Sequence, residues 1–164
     1  MKRLFVILPF SVLLLSLAVP ASAVPPERVL LPPLEDFLDE ESCPFPMFTD
    51  FQLQKGTEKT FFDREGNITR ITVTGPLKVE LTRLDTETSI RLNVSGPGTT
   101  VFENGEPVLF KARGPWVLFF GPGELEEGHP GGIFLTHGHV VFDFVQGRVT
   151  KITGTIQNVC DLLA

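Results

Sequence analysis

Leu77-Lys78-Val79-Glu80-Leu81-Thr82 and, after Asp85-Thr86-Glu87, Ser89-Ile90-Arg91-Leu92-Asn93-Val94 set apolar and polar residues in strict alternation. An extended chain points successive side chains to opposite faces, so each segment offers one oily face and one wet face. Two such runs around a short acidic turn make an antiparallel hairpin.

The same pattern spreads outward. Downstream, Gly96-Pro97-Gly98 turns the chain, and Asn104-Gly105 between Thr100-Val101-Phe102 and Val108-Leu109-Phe110 is a strong hairpin signal. Arg113-Gly114-Pro115 punctuates before a short, wholly apolar strand at 116–120. A glycine-rich loop at 121–132, carrying Glu124, Glu126 and Glu127, precedes a long strand at 133–144, the turn Gln146-Gly147 and a last strand at 149–156. Upstream, strands are expected at 45–54, 60–62 and 67–74. About eight or nine strands with short connections imply an antiparallel all-β body. An up-and-down or partly closed barrel is expected because closure removes exposed edges; the alternative is a two-sheet β-sandwich.

The first 23 residues read differently. Met1-Lys2-Arg3, a mostly apolar run over 4–18 and Val19-Pro20-Ala21-Ser22-Ala23 have the order of a signal peptide. The apolar run is shorter than the ~20 residues a bilayer span requires. Export to the cell exterior or envelope is therefore expected, with a mature chain from Val24 and no membrane span after cleavage. Losing Lys2 and Arg3 moves the formal net charge from −6 to −8. Acidic balance, and no basic cluster along the sequence, argue against nucleic acid and against anionic membrane surfaces as partners.

Residues 24–42 hold Pro25, Pro26, Pro32 and Pro33 with six acids, the composition of an extended tether. Leu34, Phe37 and Leu38 would share one face of a helical turn there. The domain proper is expected over 43–164. Its ends carry the two cysteines, Cys43 and Cys160, which an oxidising compartment would pair. The sequence contains no Cys-x-x-Cys redox motif.

Cys43-Pro44-Phe45-Pro46, Ile71-Thr72-Val73-Thr74-Gly75-Pro76-Leu77, Leu92-Asn93-Val94-Ser95-Gly96-Pro97-Gly98 and the ending Asn158-Val159-Cys160-Asp161-Leu162-Leu163 resemble motifs of a group of small exported actinobacterial proteins. The resemblance covers the chain from about Cys43 to the C-terminus. It implies a two-cysteine all-β fold and an exported address, and no reaction. Likeness to lipocalin or dirigent-like barrels is an analogy of fold alone.

Three sets of residues carry chemistry. Thirteen of the fifteen phenylalanines lie beyond residue 23, and tyrosine is absent. Phe110, Phe119, Phe134, Phe142 and Phe144, with Trp116, are expected to line an interior that is either filled or open to one small lipophilic ligand. His137 and His139 share one face of a strand with Asp143. With His129 or Glu127 from the loop they make a candidate zinc-type site, weighed against ordinary polar-face histidines. The glycine-rich loop reads as solvated. Asn67-Ile68-Thr69 and Asn93-Val94-Ser95 fit the glycosylation pattern by chance. No Gly-x-Ser-x-Gly occurs, and no carboxylate pair sits in an apolar run. The expectation is a non-catalytic exported barrel, without a cofactor, that binds a small apolar molecule or an envelope or protein surface. A small metal-assisted or dirigent-like barrel enzyme using the His137/His139 strand is one alternative. A purely structural envelope protein is the other.

Overall fold

The alternating segments become strands in two antiparallel sheets of a computed structural model that describes residues 24–164; the expected signal peptide lies outside them. The strands are β1 (Glu27–Leu30), β2 (Phe37–Asp39), β3 (Met47–Gln54), β4 (Thr57–Phe62), β5 (Ile68–Thr74), β6 (Leu77–Arg83), β7 (Thr88–Asn93), β8 (Gly98–Glu103), β9 (Glu106–Phe120), β10 (Gly132–Asp143) and β11 (Arg148–Asn158), followed by the helical turn α1 (Val159–Leu162). The large sheet runs β1-β4-β5-β8-β9-β10-β11 and the small one β2-β3-β6-β7. The all-β antiparallel class is as expected, and the body from Cys43 onward holds nine strands. The sheets are not closed: the arrangement is a sandwich or partly open barrel.

A simple meander does not result, because the chain changes sheet between hairpins. It passes from β3 to β4 at Lys55-Gly56, from β5 to β6 at Gly75-Pro76 and from β7 to β8 through Ser95-Gly96-Pro97. These crossings pack on one another. The Lys55 N–H donates to Pro76 O at 3.1 Å, and Gly96 N–H to Pro115 O at 3.1 Å. A Cβ on Gly75 would collide with Lys55 O, and one on Gly96 with Arg113 O. Only glycine lets the backbones approach this closely.

Residues 24–42 are not a free tether. β1 extends the large sheet against β4, and β2 extends the small sheet against β3. The segment between them is a strap spanning the two sheets. The helical turn is absent because Pro32 and Pro33 keep the chain extended and the strand edges of β3 and β4 offer ladder partners instead. The strap is fastened by Leu31 N–H to Gly56 O at 3.0 Å, Phe51 N–H to Asp36 Oδ1 at 2.8 Å, and a reciprocal pair between Gln54 and the Leu34 backbone.

Sequence punctuation at Arg113-Gly114-Pro115 suggested two strands where β9 is one. Gly114 pairs with Gly138 of β10, which pairs with Gly154 of β11, all three at positive φ. This row of glycines is a crease across three long strands. Phe110 and Trp116 lie six residues apart, roughly 20 Å along a flat strand. Their rings nevertheless meet edge to face at 5.5 Å. The bend replaces the expected break and keeps the ladder to β10 intact on both sides.

Two cores follow. Between the sheets, Met47, Val79, Leu81, Ile133, Leu135, Val159 and Leu163 pack around the Cys43–Cys160 disulfide, whose Cα atoms are 5.5 Å apart. Inside the crease, Ala112, Phe120, Phe134 and Val140 pack with Phe110, Trp116, Phe142 and Ile152. α1 is capped by Asn158, whose side chain accepts from the Cys160 N–H at 2.8 Å. Among the described residues no helix is long and apolar enough to cross a membrane.

Candidate functional site

The stacked crossings line a half-open cavity of about 280 Å³ at the corner where the two sheets meet. Leu31, Pro32 and Leu34 of the strap roof it, Val73, Leu77 and Val94 form its walls, and Trp116 lies at its inner end beside Gly96 and Gly98. The lining is mostly apolar, with Gln54, Lys55 and Thr74 its hydrophilic side chains. Lys55 is exposed, whereas Val94 is 4 % exposed. The volume lies close to the lower end of the ~300–1,000 Å³ typical of small-molecule sites. The Trp116 Nε1–H is buried without an acceptor.

Most of this site escaped sequence reasoning. Trp116 was expected in a ligand-lined interior, but its companions there were expected to be phenylalanines. The strap residues looked like tether, and the glycines looked like ordinary turns. The available signal was the repeated Gly-Pro pairing at 75–76 and 96–97, which marks sharp corners as readily as hairpins.

The phenylalanines are divided. Phe134 packs against Phe120 at 5.9 Å between centroids, Phe142 against Phe144 at 5.3 Å, and Phe110 against Trp116. They fill most of the crease with their own rings and leave a notch of about 240 Å³ bordered by Phe110, Phe119, Phe142 and Phe144. Phe119 does not join the ring cluster. Strand alternation puts it opposite Leu118 and Phe120, where its ring meets Phe37 of β2 at 5.7 Å and stays 44 % exposed. The run 116–120 is apolar at every position, so its two faces could not be told apart by alternation.

The histidines are likewise split. His137 and His139 do share one face of β10, as expected, His137 exposed and His139 half-buried. His129 lies on the other side of that strand, edge-on to Phe134 at 5.5 Å, with its Nδ1 accepting from Gly131 N–H at 3.0 Å. Asp143 is engaged in its own turn, accepting from the Val145 and Gln146 N–H groups at 2.9 Å. Among the described residues no three His, Cys, Asp or Glu side chains are grouped to hold a metal ion. Partial burial, and then the charges of Arg113, Lys151 and Lys111, hold the His139 imidazole below its ordinary pKa.

The loop expected to be solvated is exposed at Glu126, Glu127 and Gly128, and it also carries internal structure. Leu125 inserts into the crease core, Glu124 Oε2 accepts from Gly121 N–H at 2.7 Å, and Val149 N–H donates to Glu124 O at 2.6 Å. Of its acids, Glu124 is thus spent on the loop's own backbone.

Compared with protein-family models, curated proteins and solved structures, the chain matches none. The likeness to small exported actinobacterial proteins rests on the quoted motifs alone.

Proposed function

We propose that the protein is an exported, non-catalytic β-domain that takes one small lipophilic molecule into the strap-roofed corner cavity. The observation that carries this reading is an apolar chamber of about 280 Å³ walled by Val73, Leu77, Val94 and Trp116. Well-packed interiors hold few voids larger than a water molecule, so an apolar space of this size lacks contacts that a ligand would supply. It has room for a ring system or a short acyl chain, with any polar end at Gln54 and Lys55. The disulfide and the signal-like N-terminus support export.

Trp116 is the sole tryptophan and borders the cavity, so it reports occupancy directly. Titration with lipophilic probes such as naphthalene or octanoate is expected to change its emission saturably. Val73→Phe, which fills the chamber, is expected to weaken binding at least about tenfold, a loss of ~1.4 kcal/mol or more. Leu34→Ala, at an exposed strap position that tolerates change, is expected to weaken it by a few-fold, roughly one apolar contact. Phe144→Ser, at the crease notch, is expected to leave it unchanged. No saturable response, or a loss on Phe144→Ser with none on Val73→Phe, overturns the assignment.

A further inference from the structure

The open face of the large sheet gathers charge that the sequence scatters. Directly opposed residues of an antiparallel pair share a face. The register runs Lys59–Thr72–Thr99–Lys111–Val141–Lys151 across six strands. Beside it run Arg113–His139–Thr153 on one flank and Phe61–Arg70–Val101 on the other. Arg28 extends the first row opposite Lys59. Residues 24–164 hold twelve Lys and Arg, the fourteen of the chain less Lys2 and Arg3, and six of them lie here. The acids at its margins sit at hairpin ends: Asp63 and Glu65 between β4 and β5, Glu103 and Glu106 between β8 and β9, and Asp143 at the end of β10.

None of the six is in an ion pair with another described residue. The salt bridges among the described residues are Arg83–Asp85 at 2.6 Å and Arg91–Glu80 at 3.1 Å, both on the small sheet. Like charges directly opposed, as Arg28 and Lys59 are, destabilise a sheet. His139 adds a buried Nε2 with no partner in the middle of the cluster. A surface that breaks local rules in this way, in a chain otherwise rich in carboxylates, is complementary to an external anion. An open groove of about 760 Å³ runs between Phe61, Arg70, Lys111 and Arg113.

We infer that this face binds an acidic polysaccharide laid across the strands, its carboxylates on Lys59, Lys111, Arg113 and Lys151 and its hydroxyls on the intervening threonines. Strands lie ~4.8 Å apart, which sets Lys111 and Lys151 about 10 Å apart and Lys59 about 14 Å from Lys111. That spacing suits a polymer with sparse charges. Duplex DNA carries one charge per ~1.7 Å and would meet the net negative charge of this chain over its whole length. Single strands need free aromatic platforms, but Phe61 is already covered by the Arg70 guanidinium at 3.9 Å. Thr72, Thr99 and Thr153 supply hydroxyl partners between the cations, as a glycan requires.

The test is direct binding of polygalacturonate oligomers to the disulfide-bonded protein, beside neutral dextran, oligo-dT and phosphatidylglycerol vesicles. Polygalacturonate is expected to bind in a salt-sensitive manner and dextran not at all. Lys111→Gln/Arg113→Gln/Lys151→Gln is expected to weaken binding at least about tenfold, while Arg64→Gln/Lys78→Gln/Arg91→Gln, with the same change in net charge in the β4–β5 turn and on the small sheet, stays within about twofold. Lys151→Gln alone, at an exposed position, gives a smaller loss and guards against misfolding of the triple variant. In wild type, bound polymer is expected to raise the His139 ring pKa by NMR, since it offsets Arg113 of β9, Lys111 beside it and Lys151 of β11; His137 and Asp143 are the neighbouring side chains on that face of β10. Absence of binding, equal loss in the two triple variants, or tighter binding of oligo-dT or vesicles overturns the inference.

Discussion

Gly138 occupies a backbone position that almost no other residue could hold. Its φ is +153°, and a Cβ there would run into the carbonyl of Thr153, a backbone atom fixed in the β10–β11 ladder. Alanine therefore has to strain φ and push two strands apart, costs that together reach roughly 3 kcal/mol or more. Gly105 is also at positive φ, +85°, but faces open space, so alanine there costs only about 1 kcal/mol. Urea unfolding followed by Trp116 emission separates the two; similar midpoints for Gly138→Ala and Gly105→Ala would mean the crease is not enforced by contact. At this scale the sequence was legible wherever a residue's face could be read along its own strand, as for Val79, Leu81 and the His137/His139 pair. It was not legible where meaning depends on register. Lys59, Lys111 and Lys151 are 40 or more residues apart in the chain and become one row only through five strand pairings. The contact of Phe119 with Phe37 of the strap was not legible because every neighbour in its run is apolar. Gly114, Gly138 and Gly154 form a crease only when three strands align.

Strand existence was legible from period two, and the nine strands of the body appear close to where alternation put them. What alternation cannot supply is which turns stay within a sheet and which cross between sheets, since Asp85-Thr86-Glu87 and Gly75-Pro76 both read simply as punctuation. Nor does a proline-rich acidic stretch reveal that its few apolar residues will add to two sheet edges. The strap is the element where this matters for function, since Leu31, Pro32 and Leu34 roof the cavity. It is held by hydrogen bonds at exposed positions, each worth only about 0.5–1.5 kcal/mol net. Asp36→Ala/Gln54→Ala removes the Asp36 to Phe51 bond and the Gln54 clasp on Leu34. The global unfolding free energy is expected to fall by no more than about 2 kcal/mol, while local opening of the strap becomes much easier. Cleavage after Glu35 by a glutamate-specific protease, under native conditions, is expected to accelerate at least about tenfold. An unchanged cleavage rate would show that β1 and β2 pairing, and not these side chains, holds the strap down.

The molecule as a whole is two sheets with two cores, and only one of those cores lies between the sheets. The large sheet folds on itself around Phe120, Phe134 and Val140, and the small sheet is attached through Met47, Leu81, Ile133 and Leu163. Cys43 precedes the first body strand of the small sheet, and Cys160 lies in α1 after the last strand of the large one. The bridge thus ties the sheets covalently across 117 residues of sequence. The chain-entropy account assigns a loop of that length about 4–5 kcal/mol, as an upper estimate. Both half-cystines are only 8 % exposed, so paired serines add the burial of two hydroxyls in an apolar cluster, and the bridge is better opened by reduction than by mutation. Reduced and oxidised protein are expected to differ by about 3–5 kcal/mol in urea unfolding, with the reduced form losing the inter-sheet packing first because the crease core has no contact with the disulfide. Amide exchange should then show β3 and β6 deprotected before β9 and β10. Equal protection of all four strands in the reduced protein would mean that the two cores unfold as one cooperative unit and that the corner cavity between them is as rigid as either sheet.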